Sequence, residues 1–285
     1  MSVAETVRTL YVSDLDGTLL GNDSRVSPAS CVLLNKAIEK GALFTVATAR
    51  TPATVAPLLA DVSMRLPAIV MTGTATWCRD TRTYSDVHSL TTGNAERIIA
   101  LCDRMNLPVF VYTLRDDVLH VYHTGPLTDS ERAFMAERLH TPFKCFHVPS
   151  SGVSMPPYTL GEVLLLFALR PTDEVAPVYE QLRYDNGCNP VFYHEKSGSD
   201  TALMEVFAPG VSKAGAIHDV ARQCGATRIV AFGDNVNDIP MLKAADVAVA
   251  VANAVPEVIE VADIVIGPNT ADSVPRFILD DMARH

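Results

Sequence analysis

The stretch Thr9-Leu10-Tyr11-Val12-Ser13-Asp14-Leu15-Asp16-Gly17-Thr18-Leu19 runs from an apolar strand straight into a pair of carboxylates. Thr9 to Ser13 reads as a first strand, and its carboxyl end is where open α/β sheets bind their ligands. Asp14 and Asp16, two residues apart, concentrate negative charge there. A divalent cation relieves that repulsion, and an all-oxygen donor set favours magnesium. Asp-Gly is also a common hairpin turn, so a plain surface turn is the competing reading of this stretch taken alone.

Outward from it, strand-like and helix-like runs alternate, the pattern of crossover units and a parallel sheet. Ser27 and Pro28 supply an N-cap and first-turn proline for a helix with an apolar stripe of Val32, Leu33, Ala37 and Ile38, closed by Gly41. Ala42 to Ala47 reads as a second strand, Thr51 to Ala60 as a helix and Pro67 to Met71 as a third, fully buried strand. From about Thr83 the chain changes character, to longer strands with hairpin neighbours such as Val109 to Thr113 and Val118 to His123. Helices at about 92–105, 128–139 and 173–183 accompany them. From about Met204 the alternating pattern of the opening residues returns, with a helix from Lys213 to Cys224 and strands at 228–232, 247–251 and 264–266. The expected fold class is α/β: a doubly wound parallel-sheet core of residues 1–82 and 199–285, with an inserted α+β domain at 83–198. Lys196-Ser197-Gly198-Ser199 has the composition of a linker.

A chain of 285 residues is ample for two cores. Its net charge of −10 argues against a nucleic-acid or anionic membrane partner, although a local cationic pocket remains compatible with it. The opening residues lack a secretory signal, and no apolar run approaches the ~20 residues of a spanning helix. A soluble, cytoplasmic protein is expected. The six cysteines include no Cys-x-x-Cys pair and signal neither zinc nor redox chemistry. His120 and His123, three apart in a strand, point to opposite faces and do not share a metal.

A second acidic turn, Gly233-Asp234-Asn235-Val236-Asn237-Asp238, follows the apolar run Ile229-Val230-Ala231-Phe232. Asp234 or Asn235 could merely turn the chain and Asp238 cap the next helix. Four carboxylates at two strand ends of one sheet are harder to dismiss. Lys213 is anomalous for a different reason: a cation opening a helix opposes the dipole unless an anion lies near it.

With these motifs in hand, the sequence resembles the haloacid dehalogenase-like hydrolases, in the Cof-type branch that carries a large α+β cap of the C2B type. Asp14-x-Asp16-Gly17-Thr18 is similar to their first motif and Gly233-Asp234-x-x-Asn237-Asp238 to their fourth. Thr48, in Ala47-Thr48-Ala49-Arg50, matches the family's phosphate-binding threonine, and Lys213 its lysine. Ala49 stands where relatives often have glycine, and Thr72-Gly73 where many have Asn-Gly.

The resemblance implies a magnesium-dependent phosphatase. Asp14 would attack phosphorus and form a phospho-aspartate, while Asp16 serves as acid and then base. Asp14, Asp234 and the backbone carbonyl of Asp16 would hold Mg2+. Thr48, Lys213 and Asn237 would bind the substrate phosphate, supported by Asp238 and Arg50. The cap would set specificity for a small phosphorylated metabolite, with sugar phosphates first. The alternatives are a phosphomutase of the phosphomannomutase type, which needs a second phosphate site, and a non-enzymatic phospho-acceptor module, which would be shorter and lack the insertion. Oligomeric state is not legible.

Overall fold

Strand β1 (Thr9–Ser13) buries both of its faces: Leu10 and Val12 point one way, Tyr11 and Ser13 the other, and none is more than 2% exposed. A strand so placed needs cover on both sides, which is why its sequence shows no polar alternation. The computed structural model describes residues 7–147, 158, 160–194 and 200–284. After β1 come α1 (Pro28–Glu39), β2 (Leu43–Val46), α2 (Pro52–Leu58), β3 (Ala68–Val70), β4 (Ala75–Cys78) and β5 (Thr83–Ser85). Then follow α3 (Thr92–Arg104), β6 (Phe110–Arg115), β7 (Val118–His123), α4 (Asp129–Ala136), β8 (Lys144–His147), β9 (Glu162–Pro171), α5 (Thr172–Leu182), β10 (Asn189–His194) and β11 (Thr201–Phe207). The chain ends through α6 (Lys213–Cys224), β12 (Arg228–Gly233), α7 (Ile239–Ala244), β13 (Val247–Val251), α8 (Pro256–Val261), β14 (Ile264–Ile266) and α9 (Ser273–Met282).

Two compact units result, one built from the chain up to Asp86 and again from Ser212, the other from Val87–Val211. The first holds a parallel sheet in the order β14-β13-β12-β1-β2. Leu10, Val12, Ile229 and Ala231 pack with Ile217 and Val220 of α6, Met241 and Leu242 of α7 and Val258 of α8. On the opposite face the Phe232 ring meets Phe277 of α9 edge-on at 5.6 Å. Helices therefore cover both faces, as a doubly wound sheet requires. The chain leaves β1 toward β2 on one side and returns as β12 on the other, so the switch point of the sheet lies between β1 and β12.

Three expectations change. The buried stripe of α1 is Ser30, Leu34, Ala37 and Ile38, a 3.6-residue repeat, while Val32 is 67% exposed. The third strand joins the parallel sheet by one bridge, Ala47 to Ile69, and otherwise pairs antiparallel with β4. The boundaries of the second unit also move. Residues 83–85 pair with β4 and stay in the first unit, and residues 201–207 form β11 between β9 and β10. The alternation Ala202, Met204, Val206 buries one face of β11, which is the mark of an antiparallel strand rather than of the parallel core. The Lys196 to Ser199 run lies outside the described residues.

The second unit has the sheet order β10-β11-β9-β6-β7-β8, with a core to which α3 gives Ile98 and Leu101 and α5 gives Val175 and Val178. Glu205 of β11 is half-buried, and burial pushes its carboxyl up to about 7 even though Tyr193 hydrogen-bonds it. A raised carboxyl pKa contributes stability at low pH that is lost as pH climbs from the ordinary value of 4.5 through about 7. Glu205→Gln is thus expected to melt above the parent protein at pH 8, with the gap closing toward pH 4.5. A gap independent of pH in calorimetry would refute this.

Candidate active site

The sheet register builds the site. Ser13 lies opposite Phe232, and the Asp14 amide donates to the Phe232 carbonyl at 3.0 Å. The two acidic turns, some 220 residues apart in the chain, are thereby fixed side by side. Carboxylate oxygens of Asp14, Asp234 and Asp238 all lie within 4.8 Å of one another. Gly17 makes the close approach possible. Its φ is +82°, and a Cβ there would overlap the Asp234 carboxylate. The Thr18 hydroxyl donates to Asp234 Oδ1 at 3.0 Å, and Asn253 Nδ2 donates to the Gly17 carbonyl at 2.8 Å.

Lys213 opens α6 and is 1% exposed. Its Nζ donates to Asp14 Oδ1 at 2.5 Å and to Asp238 Oδ1 at 2.7 Å. These anions answer the unfavourable dipole at the helix start. Burial pushes the Asp14 carboxyl up, to about 7, with Lys213 pulling against it and Asp238 and Asp234 adding to it. Burial acts to lower the Lys213 ammonium, but the two carboxylates outweigh it and its pKa is raised. The other Asp238 oxygen accepts from the backbone amides of Asp234 and Asn235, at 3.1 and 3.2 Å. Rather than capping α7 through its side chain, Asp238 reaches back to lock its own turn.

An all-oxygen donor set suits a hard cation such as magnesium. Within it Asp238 is committed to Lys213 and to the turn, so the carboxylates that fit a cation are those of Asp14 and Asp234. The Asp16 side chain takes another course. Arg50 grips it with two parallel hydrogen bonds, 2.7 Å from Nε and 2.5 Å from Nη2. Thr48, 1% exposed, follows the end of β2, and its hydroxyl accepts from the Arg50 amide at 3.1 Å. Asn237 is exposed on the 236–238 turn.

The Thr72 position carries strain. The backbone there has φ +60°, held by hydrogen bonds from Thr72 N to Thr48 O and from Met71 N to Arg50 O, both 3.0 Å. A β-branched residue in this left-handed region costs about 1–2 kcal/mol, a cost that asparagine largely escapes. Next to it Gly73, at φ +93°, sits so close to the Ser212 carbonyl that a Cβ would overlap it. Thr72→Asn is expected to stabilise the protein by about 1 kcal/mol in urea denaturation. No gain would show that the hydroxyl or methyl of Thr72 has a compensating contact.

A family model described as haloacid dehalogenase-like hydrolase matches residues 11–278. The chain belongs to the haloacid dehalogenase-like hydrolases. It is an enzyme of their Cof-type phosphatase branch. This hydrolase is 23% identical over 279 residues to the Bacillus subtilis 5-amino-6-(5-phospho-D-ribitylamino)uracil phosphatase YitU, covering 96% of this chain and 97% of the relative. It is 26% identical over 270 residues to the Escherichia coli pyridoxal phosphate phosphatase YbhA, covering 93% and 95%. Its fold superposes on a solved haloacid dehalogenase-like hydrolase from Bacteroides thetaiotaomicron with a TM-score of 0.75, at 20% identity and covering 96% and 99% of the two chains. No helix among the described residues of this hydrolase is long and apolar enough to cross a membrane.

Of the residues singled out in the sequence, the structure brings Asp14, Lys213, Asp234 and Asp238 together, pairs Asp16 with Arg50, sets Thr48 against the Arg50 amide and leaves Asn237 exposed. The sequence did not point to the contact of Asn253, which lies in the loop after β13 in no motif, and it gave Thr18 no role. A hydroxyl beside an Asp-x-Asp-Gly turn is a usable signal for the second but not the first.

Proposed function

We propose that this hydrolase cleaves a small phosphorylated metabolite through a phospho-aspartate at Asp14, in a magnesium-dependent reaction. The observation that carries this is the buried Asp14 carboxylate at the switch point, ion-paired to a buried lysine and within reach of two further carboxylates. A carboxylate so placed is a nucleophile whose burial keeps water away and whose lysine is positioned to receive phosphoryl charge.

In this reading an Asp14 oxygen attacks phosphorus in line and the ester P–O bond breaks. Asp16 gives a proton to the departing oxygen, then takes one from the water that cleaves the acyl phosphate. Arg50 orients Asp16 between the two steps. The equatorial oxygens spread negative charge during transfer, and Lys213 and the Thr48 hydroxyl stabilise it, with Asn237 assigned to the phosphate at the rim. Magnesium held by Asp14, Asp234 and the Asp16 carbonyl would add charge neutralisation at the same place. Asp238 keeps Lys213 extended toward Asp14.

Recognition beyond the phosphate is assigned to the second unit. Sugar phosphates come first among the substrates, joined by pyridoxal phosphate and phosphoribityl pyrimidines because relatives are named for them. The test is phosphate release from such a panel with magnesium, repeated in chelator. Release from one or a few compounds, abolished by chelation, is the expected result. No phosphate release, with isomerisation of a sugar phosphate that requires a bisphosphate activator, would instead identify a mutase, and chelator-resistant release would overturn the metal assignment.

A further inference from the structure

In the second unit, β8 is the edge strand of the sheet and pairs in parallel with β7. His120 of β7 stands in register with Cys145 of β8. Cys145 and His147, two residues apart, share one strand face. Three donors from two segments therefore converge on one face at the sheet edge: a ring nitrogen of each histidine and the thiol all lie within 4.8 Å of one another. His120 Nδ1 and His147 Nε2 meet at 2.9 Å with rings inclined by 16°. A hydrogen bond between two imidazoles needs a lone pair on one of them, and that same lone pair binds a metal.

We propose that His120, Cys145 and His147 form a binding site for a first-row transition metal ion of the zinc class, separate from the acidic cluster of the first unit. Nitrogen and thiolate donors select borderline metals over magnesium. Tetrahedral zinc sets its nitrogen donors about 3.3 Å apart and nitrogen from sulfur about 3.6 Å apart, so the rings and thiol need shift only slightly to enclose it. Cys145 is exposed and the two histidines are half-buried, which leaves a path for the ion. Ring stacking of His147 on Tyr122, with centroids 4.6 Å apart, holds one donor in place. The ion would clip the four-residue edge strand β8 to β7 and leave a fourth position to solvent. The thiol proton is released as the thiolate binds.

Arg115 opposes the ion. Its Nη2 lies 3.3–3.4 Å from both ring nitrogens of His120, so it rests over the ring face and sets a positive charge against the site. Removing it is expected to tighten binding, an effect opposite in sign to loss of a structural contact.

The test is titration of the full chain with Co2+ in excess Mg2+, which keeps the carboxylate cluster occupied, followed by displacement with Zn2+. One equivalent of cobalt with tetrahedral visible bands and a thiolate-to-cobalt charge-transfer band is expected. Cys145→Ser should remove the charge-transfer band. His120→Ala and His147→Ala should each weaken binding by roughly tenfold or more, since even second-layer partners of metal ligands matter by 10–100-fold. Arg115→Gln should strengthen it. Circular dichroism of each variant separates loss of metal from loss of fold. Absence of the band, its persistence in Cys145→Ser, or affinity indifferent to His120→Ala would overturn the proposal.

Discussion

Asp14→Asn is expected to abolish turnover, by about 10⁴-fold or more, without lowering the stability of the metal-free protein. The first half follows from the proposed role: an amide cannot attack phosphorus, and removal of the nucleophile in a covalent enzyme typically costs losses of this order. The second half follows from electrostatics. The folded state holds the Asp14 carboxyl at about 7, so above that pH its ionised form is harder to keep in the fold than in the unfolded chain. A raised carboxyl pKa contributes stability only at lower pH, and that contribution fades as pH rises through about 7. At pH 8 in chelator, asparagine removes the buried charge, while Lys213 keeps its 2.7 Å contact with Asp238. Equal or higher stability together with lost phosphate release would mark Asp14 as a group kept for chemistry at a cost in stability. Retained turnover would sink the nucleophile assignment, and a large stability loss would show that the ion pair is chiefly structural.

The second large effect is expected at Lys213. Methionine there matches the length of the side chain but leaves the Asp14 and Asp238 carboxylates buried without their shared cation. Removing one partner of a buried ion pair costs about 3–5 kcal/mol. The loss should appear in urea denaturation beside a deep loss of activity. The double variant Asp14→Asn with Lys213→Met should be less destabilised than the sum of the singles, by roughly 0.5–3 kcal/mol. Strict additivity would mean that Lys213 acts on stability through Asp238 alone. A loss below about 1 kcal/mol for Lys213→Met would indicate that the carboxylates are solvated or neutral once the lysine is gone.

Much of the candidate site was readable because its residues sit in local patterns. Asp14 and Asp16 follow an apolar strand, Asp234 and Asp238 follow another, and Lys213 opens a helix at the end that repels cations. The Arg50 grip on Asp16 was not readable, since it joins two strand ends 34 residues apart through side chains. The strain at Thr72 was visible only as a departure from a family pattern, and its backbone reason is the left-handed φ. The reading of β11 as parallel core failed because a half-buried antiparallel strand and a buried parallel one differ only in what lies at alternate positions. The Val32 stripe failed for a similar reason: with Val32 and Leu33 directly before Leu34, the helical phase is set by what packs against α1, namely α9 and the Asp272 that precedes it, which accepts hydrogen bonds from Ser27 and Ser30.

By itself the sequence determined the α/β class, the two strand ends that carry the acidic turns and the family, because each depends on residues within a few positions of one another. Tertiary structure decided that Asp14, Asp234 and Asp238 converge and that Asp14 and Asp238 both hold Lys213. It also decided where the second unit begins and ends, and that His120 meets Cys145 and His147. Those choices depend on strand register between distant segments. A shift of one residue in a register turns every side chain to the other face, and no local pattern encodes the partner strand.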